Sequence, residues 1–173
     1  MNRRSVCQWI AICTSASGAG RLFGAEPAKP GTSIAYVPGS PIVPLVLSDA
    51  EWKKRLTENQ YQVLRKEGTE RPGSSPLNDE KRKGSYLCAA CQLPLFSSNA
   101  KYDSGTGWPS FFDGLPGALG TKTDFKLVYP RTEYHCIRCG GHQGHVFNDG
   151  PKPSGKRYCN NGVALTFIAN PSG

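Results

Sequence analysis

Two C-x-x-C pairs, Cys88-Ala89-Ala90-Cys91 and Cys136-Ile137-Arg138-Cys139, constrain this chain more than any other feature. A C-x-x-C turn sets two sulfurs on one side of a tight knuckle. Two knuckles complete a tetrahedral four-sulfur shell for zinc, with Zn–S near ~2.3 Å. Each knuckle has a tyrosine two residues ahead (Tyr86, Tyr134), and small residues inside or after it (Ala89-Ala90, Gly140-Gly141) let backbone amides approach the sulfurs. The stretch between the pairs, residues 92–135, exceeds usual ribbon spacing, so a metal here pins distant strands together instead of building a self-contained finger. Structural disulfides and a redox pair are the competing readings. The redox motif usually occurs once, at a helix start in a βαβ setting, and neither pair sits in one. A closed four-thiolate shell leaves no open coordination position, so the expectation is one structural Zn2+ per chain, held by Cys88, Cys91, Cys136 and Cys139.

The chain around those knuckles reads as mostly β. Its 20 glycines and 14 prolines make turns frequent and long helices few. Ser48-Asp49-Ala50-Glu51 fits the reciprocal pattern in which serine and glutamate cap free backbone amides, and Thr57-Glu58-Asn59-Gln60 repeats it. Two short helices follow, about 49–55 and 58–66, ended by Gly68 and Pro72. Beyond Pro72 short apolar runs alternate with breakers: Tyr86-Leu87, 93–96, 108–112, 125–129, Val146-Phe147 and 163–167. In the last run Val163, Leu165 and Phe167 alternate with Ala164 and Thr166, the period of a half-buried strand. The expectation is one mostly antiparallel β domain over 48–170 with small N-terminal helices.

Residues 26–47, with five prolines from Pro27 to Pro44, read as an extended linker. Ahead of it, Arg3-Arg4 precede a mildly apolar run over 6–13 and small residues over 14–20. That is the grammar of a cleaved export signal, here over 1–25, and the paired arginines resemble the twin-arginine type. The expectation is an exported, periplasmic or extracytoplasmic protein, cytoplasmic if 1–25 is not a signal. No run approaches the ~20 apolar residues of a membrane-spanning helix. The net charge of +8 suits a nucleic-acid partner, yet the cations are scattered and the densest run, Lys81-Arg82-Lys83, reads as a solvated loop.

Of seven cysteines, Cys7 and Cys13 fall in the signal, four form the knuckles, and Cys159 stands alone. On a strand, Arg157, Cys159 and Asn161 share one face. A cation beside a thiol lowers its pKa and raises the reactive thiolate fraction, so Cys159 is expected to be a nucleophile. Trp108, between Gly107 and Pro109, offers an aromatic wall. His142 and His145 are candidate proton donors, and the nearby Asp149 is expected to orient an imidazole.

In order along the chain, Cys88-x-x-Cys91, Ser104-Gly-Thr-Gly-Trp-Pro-Ser-Phe111, Cys136-x-x-Cys139, Gly141-His-Gln-Gly-His-Val-Phe-Asn-Asp-Gly150 and Arg157-Tyr-Cys-Asn-Asn161 resemble the methionine-R-sulfoxide reductase (B-class) family, from about Ser48 to Ala169. The resemblance implies two antiparallel sheets, a structural zinc and thiol-dependent reduction of the R epimer in oxidised proteins or peptides. It also implies a thioredoxin-like or small-thiol reductant. The chemistry is consistent: methionine sulfoxide needs a wall for its methyl (Trp108), a thiolate for its sulfur (Cys159), proton sources for its oxygen (His142, His145) and a hydrogen bond near that oxygen (Asn161). There are two departures. Thr106 stands where many members carry a resolving cysteine, and Asn160 follows the nucleophile where an aliphatic residue is usual. The alternative is a zinc-ribbon module for nucleic acid, which leaves Cys159, Trp108 and the histidines without purpose.

Overall fold

A computed structural model describes residues 36–126 and 129–171. The export signal read over 1–25, with Cys7 and Cys13, and the first part of the linker lie outside the described residues.

Both helices form where their caps predict. In α1 (Asp49–Arg55) the Ser48 hydroxyl accepts from Glu51 N–H at 3.3 Å, while Ser48 N–H donates to the Glu51 carboxylate at 2.9 Å. Thr57 and Gln60 repeat the exchange at the start of α2 (Glu58–Lys66). Each cap satisfies amides that would otherwise lack a partner. Glu67 ends α2 in the left-handed region at φ 56°, an uncommon conformation for a residue with a Cβ. Lys122 and Lys126 hold its carboxylate there at 2.5 and 2.6 Å, and their hydrogen bonds pull its pKa down to about 2.

The rest is two antiparallel sheets. The strands are β1 (Gly84–Cys88), β2 (Pro94–Ser97), β3 (Lys101–Tyr102), β4 (Ser110–Phe111), β5 (Leu119–Asp124), β6 (Arg131–Cys136), β7 (His142–Phe147), β8 (Arg157–Asn160) and β9 (Leu165–Ala169). Three form a sheet in the order β2-β1-β9, and six form another in the order β3-β4-β8-β7-β6-β5. Buried aromatics join the two. Phe96 of the small sheet stacks on Phe111 of the large one at 4.2 Å, and Tyr86 meets Phe111 edge-on at 4.9 Å. Offset and edge-on contacts place the positive ring edge against a negative face.

Three local readings differ from the outcome. The apolar run read over 125–129 gives no strand among the described residues: β5 ends at Asp124, β6 begins at Arg131, and Phe125 and Tyr129 are exposed. At the end of β5, Asp124 accepts from Lys126 N–H at 2.8 Å and from Arg131 at 2.7 Å. The run 163–167 is split, because a 3₁₀ turn over Gly162–Ala164 comes before β9. The Glu70 carboxylate caps that turn by accepting from Gly162 and Val163 N–H. Finally, residues 36–47 do not hang free, and they include a turn closed by Ser40 N–H donating to Val37 O at 3.1 Å. Tyr36 N–H donates to Cys91 O at 3.1 Å and Leu45 N–H to Arg138 O at 2.6 Å, so the segment straps both knuckles.

Candidate active site and metal centre

The four knuckle cysteines converge between the sheets. Cys88 and Cys91 flank the turn after β1, while Cys136 and Cys139 flank the turn after β6. All four are buried, and their sulfurs lie within 4.8 Å of one another. Cys88 Sγ and Cys139 Sγ are 3.6 Å apart, as are Cys91 Sγ and Cys136 Sγ. Disulfides require ~2.05 Å, and all five described cysteines are free. Tetrahedral sulfurs ~2.3 Å from an ion stand roughly 3.8 Å apart, so the cluster suits a metal joining the two sheets. Left to themselves, sulfur–sulfur hydrogen bonds and burial hold the Cys88 thiol well above its ordinary value. A cation is what would let four such sulfurs ionise together.

Cys159 sits on β8, in register with Ser110 of β4 and His145 of β7. It lines a pocket of about 130 Å³ with Trp108, His145, Phe147 and Asn161, and Thr69 and Arg131 reach its rim. Gly144 lets β7 and β8 close up there, since a Cβ at that position would collide with the Cys159 carbonyl oxygen. Trp108 is locked: its indole N–H donates to Glu70 O at 3.1 Å, and Asn160 N–H donates to the carbonyl of Pro109 at 2.9 Å.

The thiol's environment corrects the sequence reading. Arg157 does lower the Cys159 pKa, and so does a hydrogen bond from Thr106, but burial outweighs both and leaves the thiol above its ordinary value. Burial strips solvation from a thiolate, and spacing along a strand does not reveal it.

Asp149 is the second correction. It orients no imidazole. Its exposed carboxylate takes Arg157 in a two-pronged pair, Nε to Oδ1 at 2.9 Å and Nη2 to Oδ2 at 2.8 Å, which fixes the guanidinium 4.3 Å over the Phe147 ring. The histidines take carboxylates from β5 and β6 instead. His145 Nε2 meets Asp124 Oδ2 at 2.7 Å, and His142 Nδ1 meets Glu133 Oε1 at 2.7 Å. His145 is on the pocket wall, whereas His142 is buried behind it with the ring centroids 5.5 Å apart. Burial lowers the His145 pKa while its bond to Asp124 pulls the other way. A backbone hydrogen bond from Lys126, then the one from His145, keep Asp124 well below the usual carboxylate range.

Asn161 is less free than expected. Its Oδ1 accepts from Glu70 N–H at 3.0 Å and its Nδ2 donates to Gln143 O at 3.0 Å, leaving the second Nδ2 hydrogen for a ligand. Asn160, which stands where an aliphatic residue is usual, has its polar atoms partnered. It is fully buried, with Oδ1 accepting from the Tyr134 hydroxyl at 2.6 Å and Nδ2 donating to Asn161 O at 2.7 Å. Asp124, Glu133 and Glu70 escaped sequence reasoning. The one available signal was Glu133, a charge flanked by residues of a half-apolar strand.

Fold and site together define a two-sheet β protein with a four-sulfur staple and a single thiol in a small aromatic-walled pocket. A family model described as SelR domain matches residues 56–169. Peptide methionine sulfoxide reductase MsrB of Methanosarcina barkeri is 54% identical over 127 residues, spanning 73% of this chain and 89% of that protein. The Agrobacterium fabrum protein of the same name is 51% identical over 121 residues, 69% of this chain and 90% of its own. Peptide methionine sulfoxide reductase B1, chloroplastic, of Arabidopsis thaliana is 49% identical over 124 residues, 71% of this chain and 61% of its own. The chain belongs to the SelR domain family, with the MsrB reductases among its relatives.

Proposed function

We propose that this chain reduces methionine-R-sulfoxide in proteins and peptides, with Cys159 as nucleophile. What carries the reading is the Cys159 thiol lining a pocket of about 130 Å³ together with Trp108 and His145, in a chain half identical to named reductases. The Cys159 thiolate attacks the sulfoxide sulfur, and the protonated oxygen then passes to the Cys159 sulfur as the transient sulfur–sulfur bond and the methionine sulfur–oxygen bond break. Cys159 is oxidised by two electrons to the sulfenic acid, and methionine, reduced by the same two electrons, leaves as the thioether. Trp108 packs on the methyl. His145, backed by Asp124, protonates the oxygen as it leaves, and His142 with Glu133 forms the layer behind. Arg157 stabilises the thiolate, Asp149 holds Arg157, and the spare Nδ2 hydrogen of Asn161 reaches the oxygen.

A structural Zn2+ on Cys88, Cys91, Cys136 and Cys139 would tie the sheets together and supply no chemistry at the pocket. Regeneration falls to an external thiol. Thr106, whose hydroxyl bonds to Ser104 Oγ at 2.9 Å, cannot form a disulfide, and the knuckle sulfurs are committed to the metal. Two reductant thiols return Cys159 to its reduced form, releasing water and the reductant's disulfide. Export through residues 1–25 is a proposal resting on Arg3-Arg4 and the apolar run alone, and N-terminal sequencing of the mature protein tests it. Nucleic-acid binding is not favoured, because it leaves the thiol pocket unused.

The deciding assay offers purified protein both epimers of a peptide methionine sulfoxide with dithiothreitol. Turnover of the R epimer alone is expected. Equal rates on the S epimer, or no turnover, would overturn the assignment.

A further inference from the structure

The Cys159 pocket, at about 130 Å³, is far below the ~300–1,000 Å³ that encloses a whole small ligand, so it admits one side chain. The main chain of a protein substrate must leave across the pocket's rim. On one side the surface there is concave. A groove of about 740 Å³ runs between α2, the 68–77 segment and the 3₁₀ turn Gly162–Ala164. Thr69 lines both pocket and groove, and Asn161 of the pocket continues directly into Gly162 and Val163 of the groove.

The shared rim is held rigid. Glu70 accepts the Trp108 indole through its carbonyl, bonds Asn161 through its N–H, and caps the 3₁₀ turn through its carboxylate. The groove's floor is apolar, from Val63, Leu77, Val163 and Leu165. Its edges carry Asn59, Thr69 and Arg71, whose side chains make no hydrogen bond or ion pair among the described residues. Unpaired polar side chains over an apolar floor match an extended polypeptide, which needs partners for its amides and apolar surface for alternate side chains.

Resting on the reductase reading above, we propose that this groove binds the polypeptide segment flanking the oxidised methionine, in extended form. Asn59 and Thr69 meet its main-chain amides, and its side chains lie on the Val63–Leu77 floor. Glu70 preorganises the shared rim, so the ordering cost of binding falls on the peptide and not on that rim.

The test compares kcat/KM on two substrates, an acetylated and amidated methionine-R-sulfoxide and a longer peptide carrying the same residue centrally. Asn59→Trp and Ser74→Trp fill the groove from opposite edges, both at exposed positions, with folding checked by cooperative thermal unfolding. The peptide-to-single-residue ratio is expected to fall about tenfold or more in at least one variant. An unchanged ratio in both variants overturns the groove assignment while leaving the reductase reading intact. No turnover of either substrate by the unsubstituted protein overturns both.

Discussion

Removing the Tyr134 hydroxyl tests whether the nucleophile's strand is braced from beneath by a buried polar pair. Tyr134 and Asn160 are both fully buried, and the hydroxyl donates to Asn160 Oδ1 at 2.6 Å. Oδ1 has no other partner among the described hydrogen bonds, since the amide nitrogen is turned to Asn161 O at 2.7 Å. Tyr134→Phe therefore leaves a buried carbonyl unsatisfied, at a cost of about 2 kcal/mol. For a domain of this size that is a fall in Tm of roughly 6–10 °C. In an Asn160→Ile background the stranded oxygen is gone, so the same substitution should cost less than ~0.5 kcal/mol, a coupling that a double-mutant cycle isolates. Urea unfolding of the four proteins under reducing, metal-replete conditions gives the numbers. Equal costs in the two backgrounds, or a negligible cost in the first, would refute the brace.

Other outcomes follow from the site. The rate should rise with pH up to the lowered His145 value, run level from there to the raised Cys159 value and fall beyond it, because the reacting form needs Cys159 ionised and His145 protonated while burial favours the opposite state of each. A rate that climbed or fell steeply through neutral pH would contradict the two shifts taken together. Asp124→Asn removes the bond that holds His145 up, so the His145 pKa drops further, the acid edge of the profile moves to lower pH and the level stretch falls by about tenfold or more; Asp149→Asn should leave that acid edge in place, as its carboxylate serves Arg157. Cys136→Ser should lose both bound zinc, measured by elemental analysis, and cooperative unfolding, because the binding free energy of a sheet-joining metal is folding free energy. A variant that kept a sharp transition without metal would show the staple to be dispensable.

What was legible in the sequence was local. Ser48-x-x-Glu51 and Thr57-x-x-Gln60 place their helices because each capping bond spans three residues. The knuckles announce their four sulfurs because C-x-x-C is itself a turn. Cys159 and Trp108 stand out from their immediate neighbours, and both line the pocket. The carboxylates did not stand out, because their partners lie across strands. Glu133 reaches His142 only through the β6–β7 pairing, whose register shifts between Tyr134 and His135. Asp149 misled for the same reason: four residues from His145 in sequence, it turns away after β7 and meets the start of β8. The direction of the Cys159 pKa was hidden because Arg157 is visible in the sequence and burial is not.

The central claim is that Cys159 takes the sulfoxide oxygen and that no second cysteine of the chain resolves it. One turnover without reductant, followed by mass spectrometry of the peptides, tests both halves. The account predicts one methionine released per chain and one added oxygen on the Cys159 peptide as sulfenic acid, with Cys159→Ser releasing none. Methionine released by Cys159→Ser, or a disulfide joining Cys159 to Cys7, Cys13 or a knuckle cysteine, would contradict it.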